Sequence, residues 1–200
     1  MIAARIGGMI ALLLAAAPMV SAQDAPVRVR GTVERVEGDV YVVKARSGGE
    51  LKVKLADNAM IVALIKASLA DIKQGSYVGV SGMPQADGSQ KALEVHIFAE
   101  SQRGTGEGHR PFTVPNSTMT NGTVGATVMA TDGHTLTVKY AGGEKKIVVA
   151  PDVPVVRYEI GDRSELKPGV HIAALNAVKK ADGSIEAPRL NVGRAGLVPQ

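Results

Sequence analysis

The residues able to do chemistry are few and scattered. The histidines are His96, His109, His134 and His171. None of them recurs between the two repeats described below, and no pair has the close spacing of a metal motif. Met60, Met83, Met119 and Met129 add thioethers that could hold copper(I) together with imidazoles. They lie far apart in sequence, and methionine is also ordinary core filler. The chain has no cysteine, which removes thiolate metal sites, thiol redox chemistry, disulfides and a cysteine nucleophile. No nucleophile elbow, phosphate loop or zinc-helix motif is present. Asp71 and Glu165 occupy matching places in the two repeats, but each sits where a helical turn wants an N-terminal acid. No catalytic residue, metal site or cofactor is therefore expected. The expected role is a non-catalytic binding or interaction module.

Two groups of residues are candidates for binding. Lys44 and Lys52, with Arg46 and Lys54, form a basic stripe on neighbouring expected strands, and Tyr41 lies beside them. Lys139, Lys145 and Lys146 roughly echo the stripe, with Tyr140 as the second aromatic. Small barrels bind oligonucleotides and oligosaccharides across such faces, but that binding leans on aromatic platforms. Aromatics are 3% of this chain and tryptophan is absent, so a solvated face is the simpler reading of the lysines. The second group is Arg103, His109, Arg110 and Phe112, which follow no strand or helix period. Loops held by a rigid scaffold often carry function, and a plain tether has little use for these side chains.

The elements that must position these residues come in two copies. Gly31-Thr32-Val33 through Glu37-Gly38 is matched to Ala126-Thr127-Val128 through Asp132-Gly133. Leu69-Ala70-Asp71-Ile72-Lys73-Gln74-Gly75 matches Arg163-Ser164-Glu165-Leu166-Lys167-Pro168-Gly169, and Ala86-Asp87-Gly88-Ser89 matches Ala181-Asp182-Gly183-Ser184. Strict alternation in Leu51-Lys52-Val53-Lys54-Leu55 and in Leu93-Glu94-Val95-His96-Ile97 reads as strand with one buried face. The latter places Glu94 and His96 toward solvent. Glycine with aspartate between such runs marks hairpin turns. Ser68 and Asp162 each open one helical turn that Gly75 or Gly169 stops. Residues 60–67 form an extra strand or extend the third. Three strands, a helical turn and two strands fit the five-stranded OB barrel, with an open sandwich as the alternative.

The expected organisation is all-β, with two tandem OB-like five-stranded barrels. Residues 1–22 form a signal peptide, 27–98 the first barrel, 99–120 a Gly/Pro-rich linker, 121–193 the second barrel and 194–200 a tail. Arg5, the apolar run after it and Val20-Ser21-Ala22 fit the three regions of a cleavable leader. Without cysteine no lipid anchor can follow that leader, so the expected location is the periplasm. Losing Arg5 leaves a small basic excess, which is not the footprint of a nucleic-acid binder.

The doubled pattern resembles a family of exported bacterial domains of unknown function. The matching stretches are Gly-Thr-Val…Gly-Asp…Val-Lys, then Leu-Ala-Asp-Ile-Lys-Gln-Gly, then Ala-Asp-Gly-Ser…Glu-Val-His-Ile-Phe. The resemblance spans 27–193 and includes the run from Arg103 to Pro111. It implies OB-like small barrels, often in tandem, and an export route, and it transfers no catalytic residues. The expected partner is an unknown envelope ligand or protein. The alternatives are a metal-handling protein using His109 or the methionines, and a module that binds or hydrolyses an envelope polymer such as an oligosaccharide.

Overall fold

The computed structural model describes residues 26–130 and 133–199. The expected leader, residues 1–22, lies outside them. Every strand among the described residues joins one twelve-stranded sheet. The first copy supplies β1 (Val27–Glu37), β2 (Val40–Ala45), β3 (Glu50–Ala67), β4 (Tyr77–Pro84) and β5 (Gln90–Ile97). After the short β6 (Gly108–Pro111), the second copy supplies β7 (Thr118–Ala130), β8 (Gly133–Tyr140), β9 (Gly143–Val149), β10 (Val155–Ile160), β11 (His171–Lys179) and β12 (Ile185–Gly193).

Two rings of strands close within this sheet, and neither is built from one copy. The first ring runs β1, β2, β3, β12, β11 and back to β1. The second runs β7, β8, β9, β5, β4 and back to β7. Its closing contact is short, pairing Gln90 with Ile147 and Lys91 with Val148. Each ring has the strand order of an OB barrel, with a parallel contact between its third and fifth strands. The all-β, five-stranded expectation is met. The division into self-contained barrels at 27–98 and 121–193 is corrected, because the fourth and fifth strands of each ring come from the other copy.

β3 connects the two rings. It continues as strand through Ala56-Asp57-Asn58-Ala59, where no glycine or proline offers a turn back. The chain crosses to the second ring only after Leu64, because Met60 to Leu64 still pair with β12, past a register shift that follows Leu55 in β3. Its far half pairs antiparallel with β10, placing Leu64 opposite Tyr158. These two residues occupy equivalent positions in the repeats, so the pairing is centred on a pseudo-two-fold axis. Of the two readings open for residues 60–67, the extension of the third strand is the one found.

Each ring encloses its own apolar core. Val29, Val33, Val53, Ile61, Ile172 and Leu190 fill the first. Val78, Val80, Val95, Leu136, Val138 and Ile147 fill the second. A third cluster, Val62, Leu64, Val156 and Tyr158 with Phe98 and Leu197, sits at the axis. The helical turns are 3-10 and capped as their sequences indicate. Ser68 N and Oγ donate to Asp71 Oδ2, both at 2.8 Å, and Asp162 N donates to Glu165 Oε1 at 3.0 Å.

Two further expectations are corrected. Gly31-Thr32-Val33 is equivalent to Gly122-Thr123-Val124, not to 126–128: Val33 pairs with Val43, and Val124 with Val138. The β7–β8 hairpin is simply longer. The segment 99–120 is not a free linker. It carries a 3-10 turn at Glu100–Gln102, then β6, which pairs with β7 from Gly108 opposite Asn121 to Pro111 opposite Thr118. The tail also docks: Arg194 donates to Glu159 and Glu165, and Leu197 packs at the axis.

Candidate functional site

The outer faces of the two rings meet beside the pseudo-axis and leave a cleft of about 610 Å³. Strand pairing explains who faces it. On the first ring Arg30, Ala173 and Asn191 lie side by side across β1, β11 and β12. On the second, Asn121, Gly79 and His96 lie side by side across β7, β4 and β5. These rows are equivalent under the repeat, and their polar members line the cleft from opposite sides. Glu94 and Arg189 form another equivalent pair in the lining, as do Ser81 and Leu175. The duplication thus built a symmetric cleft, and divergence of residue type made it lopsided, with Arg30 and Arg189 on one wall and Glu94 and His96 on the other.

The docked segment 99–117 closes one side with Thr105, Gly106, Arg110, Phe112, Thr113 and Val114. Arg110 Nη1 donates to Gly106 O at 2.6 Å, which fixes the base of this loop. Asn121, 4% exposed, donates Nδ2 to Thr105 O at 3.0 Å, while its Oδ1 has no partner.

Tyr158 is the floor. Its ring stacks on His96 with centroids 4.9 Å apart and meets Phe98 edge-on at 5.1 Å. Burial holds its hydroxyl well above the ordinary phenol range, with Arg189 opposing and Glu94 adding to the effect. Arg189 lies over the same ring, 5.7 Å from its centroid, and donates Nε to Asn191 Oδ1 at 3.2 Å. Burial lowers the pKa of Arg189, and Tyr158 opposes that shift. Arg30 is lowered first by burial and then by Arg28 and Arg46, with Glu94 opposing, and its Nε is buried without a partner. Glu94 Oε1 is held by His96 Nε2 at 2.8 Å. Chemically this is a site with excess cation, one committed carboxylate and an apolar mouth where Leu93 and Val114 are exposed.

Comparison with family models, with curated proteins and with solved structures finds no match.

Of the residues singled out in the sequence, Arg110 and Phe112 reach this cleft. Arg103 and His109 do not; they pin the segment in place. Arg103 bonds Glu100, Gly75 O and Thr123 Oγ1, and lies 5.8 Å from the Tyr77 ring centroid. His109 Nδ1 lies 2.8 Å from Thr120 Oγ1, and its ring is 6.4 Å from that of Tyr140. Burial, then Lys145, lowers the His109 pKa. Tyr41 is corrected from a binding platform to a core residue of the first ring. Lys44 and Lys52 are solvent-exposed and absent from the cleft lining. His96 was expected at solvent and is 8% exposed. Arg30, Glu94, His96, Tyr158 and Arg189 were missed as site residues because an outward polar position reads alike whether it meets water or a second barrel. Their signal is unlike residues at equivalent positions of otherwise repeating strands.

Proposed function

We propose that the protein is a non-catalytic binding module of the bacterial cell envelope, exported by the leader at 1–22, with its ligand site in the cleft between the barrels. The observation that carries this reading is the convergence of both copies and the docked segment on one concave site, lined by arginines that lack carboxylate partners. Its volume is in the range of small-molecule sites. Glu94 is the sole carboxylate in the lining, whereas polymer hydrolysis calls for a pair of converging acids. Among the described residues no three His, Cys, Asp or Glu side chains converge on a point, so nothing specific favours the metal-handling alternative. Among them also, no helix is long and apolar enough to cross a membrane.

Native mass spectrometry of protein recovered from the envelope tests the reading. One small molecule per chain is expected, and it should be lost in Leu175→Trp, which fills the cleft from a partly exposed lining position. A chain that carries nothing, and takes up nothing from a concentrated envelope extract, would sink the proposal. Cell fractionation tests the export half, with cleavage after Ala22 expected.

A further inference from the structure

We infer that the cleft takes a single-chain amphiphile with an anionic head, carboxylate or phosphate, held by Arg30 and Arg189. This rests on the cleft being the ligand site. The head follows from charge. Arg30, Arg110 and Arg189 line the cleft against one carboxylate, Glu94, whose Oε1 is already taken by His96. Elsewhere Arg35, Arg103, Arg157 and Arg194 each meet a carboxylate, and Arg28, Arg46 and Arg163, which meet none, are exposed to solvent. Arg189 has only the Asn191 amide oxygen and the Tyr158 face, and Arg30 Nε has nothing. A half-buried guanidinium without a counter-charge is costly. Arg30 bears the added repulsion of Arg28 and Arg46. A bound anion relieves burial and repulsion together, through charge-assisted bonds that guanidinium forms best with carboxylate or phosphate.

The tail follows from the apolar part of the lining. Leu93 and Val114 are 42% and 48% exposed at the mouth, with Leu175, Phe112 and Met119 beside them. Sugars and bases bind on free aromatic faces. Here the Tyr158 ring is covered by His96 and Arg189, and Phe98 is engaged by Tyr77 and Tyr158, so Phe112 alone among the lining phenyl and phenol rings is left without such a contact. The remaining apolar lining, Leu93, Val114, Met119 and Leu175, offers no stacking platform but buries an alkyl chain well.

Isothermal titration of the purified protein with inorganic phosphate and with dodecanoate, dodecyl phosphate and dodecyltrimethylammonium, the three amphiphiles below their micellar concentrations, tests this. One dodecanoate or dodecyl phosphate should bind per chain, and the stronger of the two names the head. The cationic amphiphile and inorganic phosphate should bind at least about tenfold more weakly. Arg189→Gln should weaken the anion by about tenfold or more, with Arg189→Lys in between. Should Arg189→Gln fail to fold, Leu93→Asp, at an exposed position, should give a comparable loss. Equal binding of the cationic amphiphile overturns the anionic head, and equal binding of inorganic phosphate overturns the tail. Binding untouched by both Arg189→Gln and Leu93→Asp lies elsewhere and overturns this inference and the cleft reading together. No binding by any probe overturns the inference alone, provided that mass spectrometry still finds a molecule displaced by Leu175→Trp.

Discussion

Gln90 shows how much one buried polar residue can organise. It is 1% exposed at the start of β5. Its Nε2 reaches Thr118 O at 2.9 Å and Val80 O at 3.3 Å, and its Oε1 accepts from Thr120 Oγ1 at 2.7 Å. The equivalent position in the other copy is Ile185, a core residue. Gln90→Leu should cost about 2 kcal/mol by denaturant melting, since it strands buried backbone and hydroxyl groups rather than apolar surface. Ile185→Val should cost only about 1 kcal/mol. Glu165 should contribute to the acid response. Its carboxylate is held below the ordinary range chiefly by the Arg194 fork, at 2.8 and 3.0 Å, helped by the Asp162 amide. A depressed folded pKa gives stability that is present above the ordinary carboxylate value and lost as pH falls through the folded one. Arg194→Met should therefore melt lower than wild type at pH 7. The gap, at most about 1 kcal/mol for so exposed a pair, should close as pH drops below about 4. A gap that stayed constant down to pH 2 would show that Arg194 acts by packing alone.

At the scale of elements, strands, hairpin turns and capped 3-10 turns were legible because each is written locally. The Asp87-Gly88-Ser89 and Asp182-Gly183-Ser184 turns even share their bonds, with serine N donating to aspartate Oδ1 at 2.9 Å in both. Partner choice was not legible, because a copy folding on itself and a copy exchanging strands would pair the same kinds of residue. The equivalence of β1 and β7 is not legible from the turns, because the β7–β8 hairpin is longer than the β1–β2 hairpin, although Gly122-Thr123-Val124 repeats Gly31-Thr32-Val33 by identity. Gly75 and Gly169 show the exchange at work. Each has positive φ, +86° and +90°, and each donates its N–H across copies, to Val124 O and Val33 O, both at 2.8 Å. An added Cβ meets nothing within 4 Å, so any cost is conformational and not steric. Gly75→Val should destabilise by about 1 kcal/mol or more, and hydrogen exchange should quicken in β7 of the second copy. Unchanged protection there, with melting unchanged, would mean that the turn carries no weight in the exchange.

For the whole molecule, the two-fold relation makes a demand that two independent barrels would not. The antiparallel contact between β3 and β10 sets Leu64 opposite its equivalent Tyr158, Ala63 opposite Glu159 and Val62 opposite Ile160. The same contact can be made by two identical chains, with Leu64 opposite Leu64. The residues 26–98 alone contain every strand needed for both halves of that arrangement. They should therefore form a dimer in which each chain passes β4 and β5 to the other. Gly75 N–H bonds Val124 O of the other copy, and Val33, the equivalent of Val124, can take that bond in the dimer. The mixed pair should still be preferred. Arg157 Nη2 meets Asp71 Oδ1 at 3.0 Å, and Phe98 packs on Tyr158. The first copy has Ala63 in place of Arg157 and Leu64 in place of Tyr158. Light scattering on fragment 26–98 should give twice the chain mass, and adding fragment 118–199 should convert it to a one-to-one complex. A folded monomer of 26–98 that ignores the second fragment would show that the exchange depends on the covalent link between the copies rather than on the strand that crosses between them.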